Sequence, residues 1–307
     1  MKLKFAFLYL FLGCISLFLI NIKFTSNVKG EELQKVELNN EIKKGKFLIG
    51  LKQYLGGEND SFSKKKNINF ITDKGFLNLI SSNGIKHKSK EINISWVDIP
   101  IKNPKTIERI VFGPFASYES AKKQAEKLKD KGFKTTVAYP KNWEVWIPFE
   151  DDLPEFELKN KISRKIKNFQ ITPVLRSEYS LMKLEGPIYI YAQEDITING
   201  VNFGKNFYLL KDLYGTWTLV QKIEFDDYLA GVLPYEIGPN SPLEALKAQA
   251  VIARTWGIFN SDRFNMDKYH LCITTQCQVY KPPKITNKNV KKAIEATSNL
   301  ILTYRNQ

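Results

Sequence analysis

The sequence predicts an α+β protein: a β-rich core with a long buried helix, a small strand–helix–strand insertion and an N-terminal membrane helix. Three observations lead to this prediction. Apolar runs of strand length, separated by polar turns, fill residues 46–100 and recur after residue 186. A capped helical pattern stands between two strand candidates within 101–150. A second and more apolar helical pattern begins near residue 242.

The composition points to a folded protein with an anionic partner. The chain has 307 residues, of which 43% are hydrophobic and 13% aromatic, and this excludes a wholly disordered chain. A formal net charge of +14 favours nucleic acid, anionic lipid or acidic wall polymers as partners. The lysines are scattered and no nucleic-acid motif accompanies them, so we predict no nucleic-acid partner.

The N-terminus predicts an exported protein. A basic start, Met1–Lys4, precedes the apolar run Phe5–Ile22. Its length is close to the ~20 residues that a spanning helix needs and exceeds the usual signal-peptide core. We predict a signal anchor over 1–24 and a polar tether over 25–45. The chain is then anchored in the inner (cytoplasmic) membrane and faces the periplasm or cell wall. A cleaved, secreted form is the alternative, and a lipoprotein site at Cys14 is disfavoured.

Residues 46–100 are predicted to be the β-rich N-terminal part of the core. The strand candidates are Phe47–Leu51, Ile68–Ile71, Phe76–Ile80 and Ile92–Val97. Residues 151–185 are mixed and charged, and we predict a connector there. After it, strands are expected at Ile188–Ala192, Ile196–Ile198, Val201–Leu210 and Thr216–Ile223. The pair Asn199-Gly200 predicts a type I′ hairpin, because both turn residues need positive φ.

The segment 101–150 is predicted to be an inserted unit. Ile110–Phe112 and Thr135–Tyr139 are strand candidates on either side of a helix from Tyr118 to Lys131, with Ser117 as its N-cap. Val111-Phe112-Gly113-Pro114-Phe115, followed by Ala121 and Leu128, resembles part of a SPOR domain. That resemblance implies a module that binds glycan strands stripped of their stem peptides.

A dense motif lies further along the chain. Ser241 and Glu244 are predicted to form a capping box for a helix that runs to about Asn260. This helix is so apolar that we expect most of its faces to be buried. The chain before it reads Tyr228-Leu229-x-Gly231-Val232-x-Pro234-x-Glu236. The helix itself reads Pro242-Leu243-Glu244-Ala245-Leu246-Lys247-Ala248-Gln249-Ala250-Val251-x-Ala253-Arg254-Thr255.

These two stretches, with Gln278-Val279-Tyr280 further on, resemble the signature of the sporulation stage II protein D family (SpoIID/LytB). The resemblance implies that 186–307 is a SpoIID-like catalytic core. It also implies a lytic transglycosylase, which cuts the bond between N-acetylmuramic acid and N-acetylglucosamine in peptidoglycan. The family's domain normally continues beyond the position of Gln307, so we expect a core truncated at its C-terminus, which puts activity in doubt.

Glu236 occupies the family's catalytic position. One carboxyl group suffices for this reaction, since it protonates the leaving oxygen and then takes the proton of the attacking C6 hydroxyl. We expect Val232, Leu233 and Ile237 to shield it from water. Without the motif, a loop carboxylate bonded to backbone amides would be the simpler interpretation.

Four further residues are predicted to contact substrate. Lys247 and Arg254 lie seven residues apart on one helix face, where they can bind carboxylate or acetamido oxygens. An ion pair with Glu244 or Asp227 is the equally weighted alternative. Gln278 and Tyr280 are included because they match the family signature.

One loop predicts a metal site. Some members of the family bind zinc in this region through one His and two Cys, and His270, Cys272 and Cys277 provide that ligand set here. A Cys272–Cys277 disulfide is the alternative, which an oxidising compartment permits.

Two other functions compete with glycan cleavage. A non-catalytic wall protein that binds peptidoglycan or enhances an amidase is the first alternative. A zinc-dependent hydrolase is disfavoured because no helical His pair with a Glu base is present.

Overall fold

The computed structural model describes residues 41–42, 45–57, 67–149, 162–177, 180–282 and 287–303. The predicted signal anchor 1–24 and almost all of the tether lie outside these residues. In the ranges that are described, no helix has both the length and the apolar character needed to cross a bilayer. The described residues all belong to one compact unit, Leu38–Gln307.

Most of the regular secondary structure in the described chain is strand, as the apolar runs predict. In chain order they are β1 (Lys46–Leu55), β2 (Asn67–Ile71), β3 (Leu77–Ser81), β4 (Lys86–Ser89), β5 (Glu91–Phe115), β6 (Thr136–Ala138), β7 (Trp143–Pro148), β8 (Ile162–Arg176), β9 (Leu181–Lys183), β10 (Ile188–Tyr191), β11 (Thr197–Ile198), β12 (Val201–Asn202), β13 (Asn206–Lys211), β14 (Trp217–Glu224) and β15 (Leu271–Cys272). The helices are α1 (Tyr118–Asp130), α2 (Phe225–Glu236), α3 (Leu243–Phe259) and α4 (Lys288–Ala296), with a 3₁₀ turn at Asn265–Asp267.

The strands form two sheets, so the α+β class is confirmed. One sheet has the order β15-β1-β14-β13-β10-β3-β4, and the other has the order β12-β11-β2-β5-β7-β6 with β8 and β9 attached to β5. Alternate residues of the strands point inward, for example Ile68 and Phe70 on β2 and Leu77 and Leu79 on β3. These side chains and the inner faces of α2, α3 and α4 build one hydrophobic core.

The predicted hairpin is confirmed. Asn199 and Gly200 both have positive φ, 47° and 85°, and join β11 to β12 as an antiparallel pair. Asn199 also accepts a hydrogen bond from the amide of Asn69 at 2.9 Å, which attaches the hairpin to β2.

The strand–helix–strand pattern in 101–150 is also confirmed. The Ser117 hydroxyl accepts a hydrogen bond from the Ser120 amide at 3.2 Å, which caps α1. The first strand of the unit is the second half of β5, which continues from 91 without a break and pairs with β2, β7 and β8. The unit therefore shares a sheet with the rest of the chain. Its resemblance to a SPOR domain stays a prediction.

Two segments differ from expectation. The predicted connector 151–185 contains β8 and β9, and β8 pairs with β5 over most of its length. The apolar run Leu300–Tyr304 predicts a strand, but residues 300–303 have no regular secondary structure and contact α3. The amide of Leu302 donates to the Thr255 hydroxyl at 2.9 Å.

The helix α3 is buried on one face only, so the prediction of a helix buried on most faces is wrong. Leu246, Ala250, Ala253 and Gly257 face the core, whereas Ala245, Ala248, Ile252 and Phe259 are exposed. The capping box is wrong as well. The Ser241 hydroxyl donates to the carbonyl of Ile237 at 2.5 Å, and α3 begins without a side-chain cap.

A buried polar network joins the β13–β14 turn to the 3₁₀ turn. The Asp267 carboxylate accepts from the Leu213 amide and from the Tyr214 hydroxyl, both at 3.1 Å. The Tyr214 hydroxyl in turn accepts from the Tyr139 amide at 2.8 Å. Burial raises the pKa of Asp267 to about 6, and the nearby Asp212 charge adds to this. The network thus contains a carboxyl group that the fold keeps protonated in mildly acidic solution.

This network predicts a pH-dependent stability. Unfolded Asp267 has a pKa near 3.8, so between about pH 4 and pH 6 the folded chain holds a proton that the unfolded chain loses. The free energy of unfolding therefore falls as pH rises through this window, by roughly 2–3 kcal/mol from Asp267 alone. The measurement is urea unfolding of the wild type and Asp267→Asn at pH 4 and pH 6. The free energy of unfolding of Asp267→Asn should fall less between pH 4 and pH 6 than that of the wild type. An identical fall in both proteins would contradict the assignment of this pH dependence to Asp267.

Candidate functional site

Glu236 is the last residue of α2. Tyr228, Leu229 and Val232 of this helix are fully buried, while Glu236 is exposed at its C-terminal end. The amide of Ile237 still donates to the Leu233 carbonyl at 3.2 Å, and the chain then turns away. Gly231 and Pro234 both disfavour helices in isolation, and both lie in α2. Burial of the apolar face overrides these local preferences.

Tyr228 lies two turns before Glu236 on α2, and the sequence indicated no role for it beyond the motif. Its hydroxyl donates to Oε1 of Gln278 at 3.3 Å. Burial raises the pKa of Tyr228, and the neighbouring Tyr280 and Glu236 raise it further. The structure thus brings Gln278 and Tyr280 together around Tyr228, and Glu236 lies eight residues further along the same helix.

Tyr280 forms the base of this group. Its ring stacks on that of Tyr228 with centroids 5.3 Å apart, and its hydroxyl donates to Oε1 of Gln221 at 3.3 Å. Burial raises the pKa of Tyr280, and the charge of Asp227 adds to the rise, although its hydrogen bond to Gln221 opposes it. Tyr280 and Gln278 are only 3% and 8% exposed. A ligand at Glu236 would therefore meet the edge of Gln278 before it met Tyr280.

Arg254 lies elsewhere and is occupied by the protein itself. Its guanidinium donates to the carbonyls of Thr297 at 2.8 Å and Leu300 at 3.2 Å, and pairs with Asp226 at 3.3 Å. Asp226 stands ten residues before Glu236 on α2, which is about 15 Å along the helix. Arg254 therefore joins α3 to the first turn of α2 and to the tail after α4.

Lys247 forms the ion pair that was the alternative to substrate binding. Its ammonium lies 2.7 Å from the Glu244 carboxylate, one turn earlier on α3. Both side chains are partly open to solvent, so the pair contributes only about 0.3–0.5 kcal/mol. Such a weak pair leaves Lys247 available to a ligand at little cost.

The cysteine loop contains a disulfide in this structure. Cys272 and Cys277 are bonded to each other, with Cα atoms 5.7 Å apart. The amide of Cys272 also donates to the Cys277 sulfur at 2.9 Å. His270 is fully buried, and its Nδ1 accepts a hydrogen bond from the Leu48 amide at 2.9 Å.

As arranged here, the three residues do not fit a zinc ion. Both sulfurs are used in the disulfide, and Nδ1 of His270 is used by Leu48. Within the part of the chain that is described, no group of three or more His, Cys, Asp or Glu side chains is placed to hold a metal. Zinc binding would require a reduced loop, and it stays a prediction.

The unit 101–150 holds the disulfide loop from outside. The Trp143 indole donates to Oε1 of Gln276 at 2.8 Å, and Arg263 donates to the Gln276 carbonyl at 2.8 Å. Arg263 also pairs with Glu119 of α1. These contacts fix the backbone two residues before Gln278, so the inserted unit helps to position the site.

The fit between α2 and the 280–281 backbone predicts the effect of Gly231→Ala. A Cβ at Gly231 would overlap the Tyr280 ring and lie 2.7 Å from the Lys281 carbonyl oxygen. In an open helix this change would stabilise by about 1 kcal/mol, but here we expect destabilisation by about 1–3 kcal/mol. Denaturant unfolding measures it. The destabilisation by Gly231→Ala should be smaller in a protein that also carries Tyr280→Ala, because the ring that the new methyl group meets is then absent. If Gly231→Ala stabilised the protein, the close packing of Gly231 against Tyr280 and Lys281 would be disproved.

The Cys272–Cys277 disulfide predicts a mass difference between the oxidised and the reduced chain. Full-length chain purified without reductant should show Cys272 and Cys277 linked, two hydrogen masses lighter than the reduced peptide, and no bound zinc. Chain purified under reducing conditions provides the comparison. One zinc per chain with both thiols free, in either preparation, would replace the disulfide with the predicted metal site.

Comparisons with known proteins agree with the signature. Residues 214–304 match the family model SpoIID, described as Stage II sporulation protein. An uncharacterized protein of Brachyspira hyodysenteriae (strain ATCC 49526 / WA1) is 33% identical over 122 residues, which cover 38% of this chain and 32% of that protein. The chain therefore spans about a third of the length of this relative. No solved structure matches the chain. The matched segment 214–304 contains α2, α3 and the cysteine loop, so the similarity to the SpoIID family model covers the elements that carry the candidate site.

Proposed function

We propose that this protein cleaves peptidoglycan glycan strands as a lytic transglycosylase, with Glu236 as its single general acid and base. The family match supports a cell-wall function in general terms. The specific reaction rests on one observation: a carboxylate is held at the solvent-exposed end of a helix whose inner side is fixed by Tyr228 and Gln278.

The placement of the other acids of α2 supports a one-carboxylate reaction. Asp226 and Asp227 lie at the opposite end of the helix, about 14–15 Å from Glu236 along its axis. Carboxylate pairs of ordinary glycosidases are about 5–9.5 Å apart. Neither aspartate is thus placed as a second catalytic carboxylate, and the reaction that needs only one fits best.

In the proposed reaction, Glu236 donates its proton to the glycosidic oxygen as the bond to the anomeric carbon breaks. The resulting carboxylate accepts the proton of the C6 hydroxyl of the same muramic acid. That oxygen attacks the anomeric carbon, which gives a 1,6-anhydro end and consumes no water. Since Val232 and Leu233 point into the core, the bound glycan itself has to displace water from the exposed Glu236.

Gln278 and Lys247 are the proposed substrate contacts. Tyr228 donates to Oε1 of Gln278, so the Gln278 amide hydrogens remain as donors for an acetamido oxygen.

We also propose attachment to the outer face of the cytoplasmic membrane through residues 1–24.

The test uses the full-length chain and peptide-free glycan strands, with mass spectrometry of the products. The wild type should produce 1,6-anhydro-muramic ends, and Glu236→Gln should reduce their rate by about 10²-fold or more, because the amide cannot exchange the proton. Glu295→Gln, which changes an exposed acid of α4, is the matched control and should keep the wild-type rate.

Undiminished product with Glu236→Gln would remove Glu236 from the reaction. If the wild type bound glycan strands but released no anhydro ends, the alternative of a non-catalytic wall-binding or amidase-enhancing protein would replace the enzyme.

A further inference from the structure

Five lysine side chains gather where the ribbon formed by β5 and β8 meets the turn between β13 and β14. We call them the lysine strip, and its members are Lys105, Lys165, Lys167, Lys211 and Lys268. They lie outside the Glu236 site, and the proposed function does not use them.

Strand register places three of them on one face of the ribbon. Lys105 is directly opposite Lys167, and Ile107 is opposite Lys165. Directly opposed residues share a face, as do residues two apart in one strand, so Lys105, Lys165 and Lys167 point the same way. The other face of the ribbon is different, because Arg164 there pairs with Glu108.

The β13–β14 turn adds the other two. A Cβ on Gly215 would lie 3.0 Å from Nζ of Lys167, so the ribbon ammonium rests on the turn. Lys211 ends β13 just before it, and Lys268 follows Asp267, whose carboxylate is bonded to the turn. Burial and then the charges of Lys167 and Lys268 lower the pKa of Lys211, although Asp212 opposes this. Lys167, Lys211 and Lys268 therefore lie around the same turn.

Among the described residues, the charge of Asp212 offsets part of the mutual repulsion of these ammonium groups. Across the described ranges, none of the five ammonium groups forms an ion pair or a hydrogen bond with another side chain. Asp212 and Asp267, which lie at the same turn, accept hydrogen bonds from the turn itself. Like charges that face each other across a ladder destabilise a sheet, so this arrangement favours an anionic ligand.

We propose that the lysine strip binds a linear polymer of phosphate groups. Lysine binds phosphate as a point charge and needs no planar, bidentate partner. Lys165 and Lys167 are about 6.6–6.8 Å apart along β8, a repeat that successive charges of an extended polymer can follow. Lys167 and Lys211 are half buried in the angle between ribbon and turn, where a thread-like anion reaches them and a flat bilayer does not.

The test measures binding of fluorescently labelled inorganic polyphosphate to the full-length chain in neutral detergent, over a range of salt concentrations. In the variant K165Q/K167Q/K211Q we expect at least about tenfold weaker binding at low salt. We also expect the slope of log affinity against log salt to become shallower by about two to three. The control K74Q/K86Q/K90Q removes the same charge from exposed lysines elsewhere and should change affinity less than about threefold.

Equal losses in both variants would show that only net charge matters and would overturn the site. Tighter binding to phosphatidylglycerol vesicles than to polyphosphate, with the same sensitivity to the three substitutions, would replace the polymer with a membrane surface. Circular dichroism of both variants confirms folding, and since glycan cleavage is not the readout, failure here leaves the Glu236 proposal unaffected.

Discussion

The helix that carries Glu236 is fixed by a column of stacked aromatic rings. Phe47 of β1 stacks on Phe225 at 4.1 Å, Phe225 on Tyr228 at 6.0 Å, and Tyr228 on Tyr280 at 5.3 Å. Each such pair contributes about 0.5–1.5 kcal/mol beyond its burial. The column connects the sheet, the helix α2 and the segment after the cysteine loop, and Gly231 lets the last ring approach. The orientation of Glu236 therefore depends on long-range packing.

This dependence explains which parts of the fold were predictable. The hairpin at Asn199-Gly200 and the cap at Ser117 follow from one or two residues whose backbone needs are local, and both are confirmed. The helix α2 contains Gly231 and Pro234 and is stabilised by burial against distant elements, so no local pattern predicts it. The strand β8 was missed for a related reason, because its charged residues gain their strand conformation from pairing with β5.

The same distinction holds within the site. Glu236, Gln278 and Tyr280 were identified through a family signature, and the structure brings Gln278 and Tyr280 together around Tyr228, on the helix that ends at Glu236. The spacing of Lys247 and Arg254 predicts a shared helix face, but helical spacing does not show which neighbour each charge meets. Arg254 is buried against the carbonyls after α4, a contact between segments more than forty residues apart.

The cysteine loop links the unit 101–150 to Gln278 through contacts at Gln276, two residues earlier in the chain. Trp143 and Arg263 hold Gln276, the Cys272–Cys277 bond closes the loop, and Gln278 follows directly. Closing a loop of sequence separation 5 removes conformational freedom from the segment that leads to Gln278. Glu236 is positioned by α2. The acid and Gln278 thus belong to two parts of the fold, which meet where Tyr228 contacts Gln278 and Tyr280 and where the Lys281 amide donates to the Gly231 carbonyl.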